Sequence, residues 1–121
     1  MATSSTYTNE HIGMGVSIHT WILAGSGGPP NTGDMISCPG SLDKTIQVYG
    51  TFAGKTLSIY GSMNGTNWNI LHDPQGNDMA YTGADTEHVL ENVMYIRPSL
   101  VASEGAPSVT IVLLIKRLME K

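Results

Sequence analysis

The stretch from Lys44 to Leu71, KTIQVYGTFAGKTLSIYGSMNGTNWNIL, alternates apolar and polar residues along three short segments. Alternation with a period of two is typical of β-strands that bury one face. The apolar positions that share the inward face are Ile46, Val48, Phe52, Leu57, Ile59, Trp68 and Ile70. Because glycine-containing turns separate the segments, we predict an antiparallel meander of three strands.

The turn between the second and third segments contains Asn64 and Gly65. This pair suits the two positive φ angles of a type I′ hairpin, which would place Trp68 inside the core with Leu57 and Ile59. The alternative is that the loop displays Trp68 as a platform for a ligand. We predict the core position.

Short alternating segments continue on both sides of this stretch. Residues 108–118 are apolar on both faces, which predicts a central strand covered on both sides. Residues 93–101 predict a strand that Pro98 confines to an edge or a bulge, and residues 84–92 are the one helix-like piece. Ile96, Ile111 and Leu113 complete the predicted core.

About eight short strands with frequent turns predict an all-β fold, an antiparallel jelly roll or β-sandwich. Residues 1–10 are polar and small, and we expect residues 1–12 to form a flexible N-terminal arm. Residues 13–121 then form a single jelly-roll domain.

The composition excludes several classes of function. Charged residues make up 13% of the chain and its net charge is −4, with no basic cluster beyond Lys116 and Arg117, so nucleic acid is not an expected partner. The single cysteine, Cys38, forms no intrachain disulfide, which indicates folding in a reducing cytoplasm or at least a fold that does not depend on oxidation. The N-terminus lacks a signal-peptide pattern, and no apolar run reaches the roughly 20 residues of a membrane span.

Candidate chemical groups do not form a recognisable pattern. His72 and Asp73 are adjacent and would point to opposite faces of a strand, while His88 and Glu91 would share a face only on a helix. The oxygen-rich loop DPQGND (73–78) suits either a Ca²⁺ site or a plain turn capped by Asp73, and the plain turn is favoured. We therefore expect no enzyme activity, no catalytic residue, no metal and no cofactor.

Tyr49 and Tyr60 fall on the outward faces of two strands that the meander makes neighbours. Such a pair could contact a sugar or a protein. The alternative is that the two rings form a cross-strand pair that only stabilises the sheet.

Two resemblances rest on runs of residues. SIYGSMNGTNW (58–68), MYIRP (94–98) and SVTIVLLI (108–115) resemble the second half of discoidin-type galactose-binding jelly rolls, which implies the fold. DKTIQVYGTF (43–52), GSMNGTNW (61–68), DPQGN (73–77) and LENVMYIRP (90–98) resemble, in the same order, small proteins of tailed bacteriophages.

The second resemblance implies a virion structural protein, a jelly-roll cement or decoration protein on the capsid exterior. Its expected partners are the major capsid protein and a second copy of itself, with a homodimer favoured over a trimer and no membrane. The alternatives are a carbohydrate-binding module on a phage head or tail and a tail or connector component. Candidate interface residues on the arm, the first strand and the following loop are Thr6, Tyr7, Asn9, His11, Trp21, Leu23, Pro29 and Pro30.

Overall fold

The structure is a computed structural model, and it describes residues 4–13, 15–24, 31–38, 41–100 and 107–117. These residues form strands and turns, with no helix among them. The strands are β1 Ser4–Gly13, β2 Val16–Ala24, β3 Asn31–Thr32, β4 Ile36–Ser37, β5 Ser41–Thr51, β6 Leu57–Ser62, β7 Asn69–Ile70, β8 Ala80–Tyr81, β9 Asp85–His88, β10 Tyr95–Leu100 and β11 Ser108–Arg117.

The strands form two antiparallel sheets. The first sheet has the order β1-β2-β11-β5-β9. The second has the order β3-β10-β6-β7, with β4 also pairing β10 and β8 also pairing β6. The predicted all-β sandwich is confirmed.

The core lies between the inner faces of the two sheets. The first sheet contributes mainly β2, β5 and β11, whose buried apolar residues are Trp21, Leu23, Ile46, Val48, Val109, Ile111, Leu113 and Ile115. The second sheet contributes Ile36, Leu57, Ile59, Tyr81, Ile96 and Leu100, and Phe52 is buried just after β5. Each fully buried Leu, Ile or Val stabilises the fold by about 1.5–3 kcal/mol relative to an exposed side chain.

The predicted three-stranded meander is wrong, because β5 and β6 belong to different sheets. The turn between them has positive φ at both Ala53 (53°) and Gly54 (74°), and Lys55 N donates to Phe52 O at 2.8 Å. These are the φ signs of a type I′ turn. Here the turn carries the chain from one sheet across to the other.

The predicted N-terminal arm is also wrong for the residues that the structure describes there. Ser4–Gly13 form β1, which pairs with β2 in a register that sets Tyr7 opposite Trp21. The Tyr7 ring lies 5.5 Å, centroid to centroid, from the Trp21 ring. Tyr7 packs against the core, whereas Thr8, Asn9 and Glu10 are exposed, so this polar strand is attached to the core through one aromatic side chain among its described residues.

Two further local predictions need correction. Residues 85–88, placed in the helix-like piece, form β9 and pair with β5. Pro98 lies inside the second sheet rather than at its edge, because β10 pairs with β6 on one side and with β4 and then β3 on the other. Pro98 falls where that second partner changes from β4 to β3, so its missing N–H removes no bond from a continuous ladder.

Candidate functional site

The outer face of the first sheet is unusually apolar. Ile18 and Ile22 on β2, Tyr49 on β5, and Val112 and Leu114 on β11 all point away from the core. Ile22 is 43% exposed and Tyr49 is 44% exposed, and the other three are half-buried. We call these five residues the apolar outer face.

Uncharged polar side chains fill the gaps in this surface. Thr110 pairs with both Ile22 and Tyr49, and Val112 pairs with Thr20 and Gln47. Charges lie towards one end, where Lys116 is the cross-strand neighbour of Asp43 and the exposed Glu10 is that of Ile18. The sequence predicted that β11 is covered on both sides. In the described chain, its outward side chains are only half-buried.

The loop between β6 and β7 is built by side-chain hydrogen bonds rather than by a two-residue hairpin turn. Ser62 Oγ accepts from Asn64 N and Gly65 N, while Asn64 Oδ1 accepts from Thr66 N and Asn67 N. Gly65 has a φ of 78°, but Asn64 does not have positive φ, so the predicted type I′ turn is wrong.

This loop places Trp68 outside the core, which corrects the prediction for Trp68 and for Ile70. Both side chains are half-buried on the outer face of the second sheet. The Arg97 guanidinium carbon lies 4.0 Å from the centroid of the Trp68 ring. Thr32, Tyr60, Trp68, Arg97 and Ser99 line a shallow groove of about 250 Å³, which we call the arginine groove.

Tyr49 and Tyr60 do not form a joint platform. Tyr49 is on β5 in the first sheet, whereas Tyr60 is on β6 in the second, and the two strands do not pair. The prediction failed because it assumed that successive strands are neighbours.

The predicted interface residues are dispersed. Trp21 and Leu23 are fully buried, so the prediction that they form a surface contact is wrong, and Trp21 Nε1 donates to Asp34 O at 2.8 Å. Tyr7 is half-buried and Asn9 is exposed.

The remaining interface candidates are Thr6, His11, Pro29 and Pro30. Thr6 and His11 lie on β1, but the structure does not describe their side chains. Pro29 and Pro30 lie outside the described residues.

A chain of polar side chains lies buried beside β1. The Tyr7 hydroxyl forms a hydrogen bond with His19 Nδ1 at 2.5 Å, and Ser17 Oγ lies 3.1 Å from His19 Nε2. Burial raises the pKa of Tyr7 above its ordinary value, and the nearby charge of Asp34 raises it further. Since Ser17 and His19 are buried, this arrangement links β1 to the core and does not present a nucleophile to solvent.

His72 connects two segments that the sequence did not predict to meet. Its Nδ1 lies 2.5 Å from Glu91 Oε2 and its Nε2 lies 3.2 Å from Asp78 Oδ1. The hydrogen bond to Glu91 raises the pKa of His72 above its ordinary value. His88 and Glu91 would share a face only on a helix, and His88 lies at the end of the strand β9. Residues 72 and 91 are distant in sequence, so no local pattern could have indicated their contact.

The loop DPQGND (73–78) is organised as a turn. The Asp73 carboxylate accepts from the backbone N–H groups of Gln75 and Asn77, and the bond from Asn77 holds its pKa below the ordinary value.

Outside this loop, Tyr81 donates its hydroxyl hydrogen to Glu87 at 2.6 Å. Within the described ranges, no three His, Cys, Asp or Glu side chains cluster closely enough to hold a metal ion.

Two further polar groups are built into the interior. Cys38 is buried and its thiol donates to Val93 O at 3.2 Å. Lys44 is fully buried and donates to Asn92 Oδ1 at 3.0 Å, and burial lowers its pKa.

The described part of the chain contains no helix long and apolar enough to cross a membrane.

Comparison with known proteins gives structural likeness without a sequence family. No protein-family model matches the chain, and no curated protein matches it. The structure is similar to that of oxalate oxidase, at a TM-score of 0.51 and 15% identity over 93% of this chain and 51% of that one. The chain thus spans about half the length of that enzyme, and at this identity the likeness shows the fold alone.

Two weaker likenesses cover whole chains. The SPBc2 prophage-derived protein YomS aligns over 94% of this chain and 96% of its own, at 9% identity and a TM-score of 0.48. The K1 cleaved adhesin domain of Lys-gingipain from Porphyromonas gingivalis W83 aligns over 98% of this chain and 100% of its own, at 13% identity and a TM-score of 0.45.

Proposed function

We propose that the chain is a structural virion protein that binds the outer surface of a phage capsid and stabilises it. The ordered motifs between residues 43 and 98 support this proposal through their resemblance to small tailed-phage proteins. The observation that carries it is the apolar outer face of the first sheet. In this proposal the chain is not an enzyme and requires no cofactor.

The apolar outer face suits contact with another protein. Its centre is apolar, threonine and glutamine side chains fill the gaps, and the charged residues Glu10, Asp43 and Lys116 lie towards one end. Stable interfaces likewise have a charge-depleted, apolar centre and a polar rim. Tyr49 and Ile22, the two most exposed of the five residues, would lose the most surface to a partner.

The proposed partners are the major capsid protein and a second copy of the chain. β1 lies at the end of the first sheet and, among the described strands, pairs only with β2. Its ten residues therefore leave a row of backbone N–H and C=O groups on one side. Antiparallel pairing of two β1 strands about a two-fold axis would use those groups, which favours a homodimer.

The test uses a matched pair of lysine substitutions. Ile22 on the apolar outer face and Leu90 elsewhere are both large exposed apolar residues, with exposures of 43% and 52%. A lysine at position 22 would bring a charged group into the apolar contact, where even an unpaired neutral polar group costs about 1–3 kcal/mol. Ile22→Lys should therefore lower the amount of chain that co-sediments with capsids about tenfold, whereas Leu90→Lys should bind normally.

Circular dichroism and a thermal melt would first establish that both variants are folded. Equal binding of the two variants would contradict the proposed docking face. Failure of the unsubstituted chain to co-sediment with either procapsids or mature virions would contradict the capsid function itself. Recovery of the chain only in tail fractions would favour the tail or connector alternative.

The carbohydrate-binding alternative loses the joint Tyr49 and Tyr60 platform, since the two rings occupy different sheets. Its other support, the resemblance to galactose-binding jelly rolls, implies only the fold, so we do not pursue it as a second function.

A further inference from the structure

The arginine groove contains a cation without a counter-ion among the described residues. The ion pairs found in the described chain both involve His72, and neither includes Arg97. Arg97 Nε is buried and has no hydrogen-bond partner. We propose that this groove binds an acidic side chain of a partner protein.

The geometry favours a carboxylate. A guanidinium presents its N–H donors in a planar fork that matches the two oxygens of a carboxylate. Stacking on Trp68 at 4.0 Å holds that fork in place before any ligand arrives. Tyr60, Thr32 and Ser99 line the same groove, where the hydroxyls of Thr32 and Ser99 form a hydrogen bond with each other at 3.3 Å.

Charge supports the same occupant. Neither of the ion pairs found in the described chain includes Arg97. Its positive charge is therefore not neutralised by a described acidic side chain and can pair with an anion from outside.

The surroundings favour a protein over an acidic sugar as the source of the carboxylate. Met35 is 49% exposed, and its side chain lies beside Gly65 and Tyr95, next to the loop that holds Trp68. Exposed methionine is typical of adaptable protein-binding surfaces, and Trp, Tyr and Arg dominate the energetic centres of protein interfaces. The residues lining the groove include no carboxylate or amide side chain that could accept hydrogen bonds from sugar hydroxyls.

This surface is separate from the apolar outer face, because Arg97 and Tyr60 belong to the second sheet and Ile22 and Tyr49 to the first. A chain with two such surfaces could contact two neighbouring proteins at once. The inference therefore goes beyond capsid attachment and can fail without affecting it.

The test is an NMR titration of the ¹⁵N-labelled full chain at low ionic strength. The probes are N-acetyl-L-glutamate methylamide, its glutamine counterpart and glucuronate. We expect the Arg97 Nε–H and Trp68 indole N–H signals to shift saturably with the glutamate probe. The glutamine probe, which has the same shape without the charge, should bind at least tenfold more weakly.

Three variants make the result specific. Arg97→Gln should abolish the shift of the Trp68 signal, and Arg97→Lys should weaken binding because lysine lacks the planar fork. Lys116→Gln removes the same charge from the other sheet and should leave binding unchanged.

Equal shifts with the glutamate and glutamine probes, or no saturable shift with glutamate, would overturn the proposal. Tighter binding of glucuronate than of the glutamate probe would overturn the choice of a protein partner in favour of an acidic sugar.

Discussion

Replacing Tyr7 tests whether β1 is an integral part of the sandwich. The Tyr7 ring stacks on His19 with 5.9 Å between centroids and an interplanar angle of 10°, and it also contacts Trp21. Its hydroxyl satisfies Nδ1 of His19, which is only 5% exposed. If residues 4–13 were a flexible arm, none of these contacts would contribute to stability.

The expected magnitudes follow from these contacts. Tyr7→Phe removes the hydroxyl and its hydrogen bond to the buried His19, which costs about 0.5–1.5 kcal/mol. Tyr7→Ala also removes the two aromatic contacts, each worth about 0.5–1.5 kcal/mol. We expect a total loss of about 3–4 kcal/mol for Tyr7→Ala, within the range for large aromatic-to-alanine changes.

Urea denaturation followed by tryptophan fluorescence measures both losses, because Trp21 lies beside Tyr7. Tyr49→Phe is the matched control, since that tyrosine is exposed on the same sheet and its free energy of unfolding should change by less than about 0.5 kcal/mol. Wild-type stability for Tyr7→Ala would refute the integral role of β1 and restore the flexible arm.

Three further predictions concern other elements. Trp68→Ala should lower the free energy of unfolding by about 1–2 kcal/mol, because it removes a surface cation–π contact and a half-buried side chain. Trp21→Ala should lower it by about 3–5 kcal/mol, because Trp21 is fully buried. Equal losses in denaturant titrations would contradict the placement of Trp68 outside the core. Ala53→Gly should raise the free energy of unfolding by about 0.5–1 kcal/mol. Glycine relieves the strain of the left-handed conformation at position 53, and this gain exceeds the cost of the more flexible unfolded chain. A lowered melting temperature would argue against the positive φ of Ala53. The hydrogen bond to Glu91 raises the folded-state pKa of His72. The stability that this bond contributes is therefore fully present below the unfolded pKa of about 6.5 and is lost as the pH rises through the raised folded-state pKa. His72→Gln should destabilise the chain more at pH 6 than at pH 9, and a difference in stability that does not change with pH would count against the pairing.

Alternation along the sequence was sufficient to predict the sandwich. It worked within long strands, where Ile46, Val48, Ile111 and Leu113 are buried. It failed at Trp68, because six residues of irregular loop separate β6 from β7 and the period of two does not continue through a loop. Strand periodicity therefore holds only as far as the strand itself.

The identity of neighbouring strands could not be predicted locally. The tight turn at Ala53 and Gly54 has the φ signs of a hairpin turn, although here it connects two different sheets. The sequence of the turn therefore does not show whether the two flanking strands pair. Both faces of β2 carry apolar residues, so the sequence did not decide that Trp21 points inward and Ile22 outward.

The candidate surfaces depend on which strands pair and on which way their side chains point. The arginine groove joins Arg97 to Trp68 through strand pairing and loop conformation, which neither residue's neighbours in sequence encode. β1 was missed because its polar composition resembles that of a disordered segment. Only its pairing with β2 shows that Tyr7 reaches the core.

A cryo-electron microscopy map of purified virions tests the central claim most directly. The proposed function predicts copies of the chain on the outside of the capsid, with Ile22, Tyr49 and Val112 against a neighbouring protein. Absence of the chain from the shell, or copies whose apolar outer face points to solvent, would contradict it.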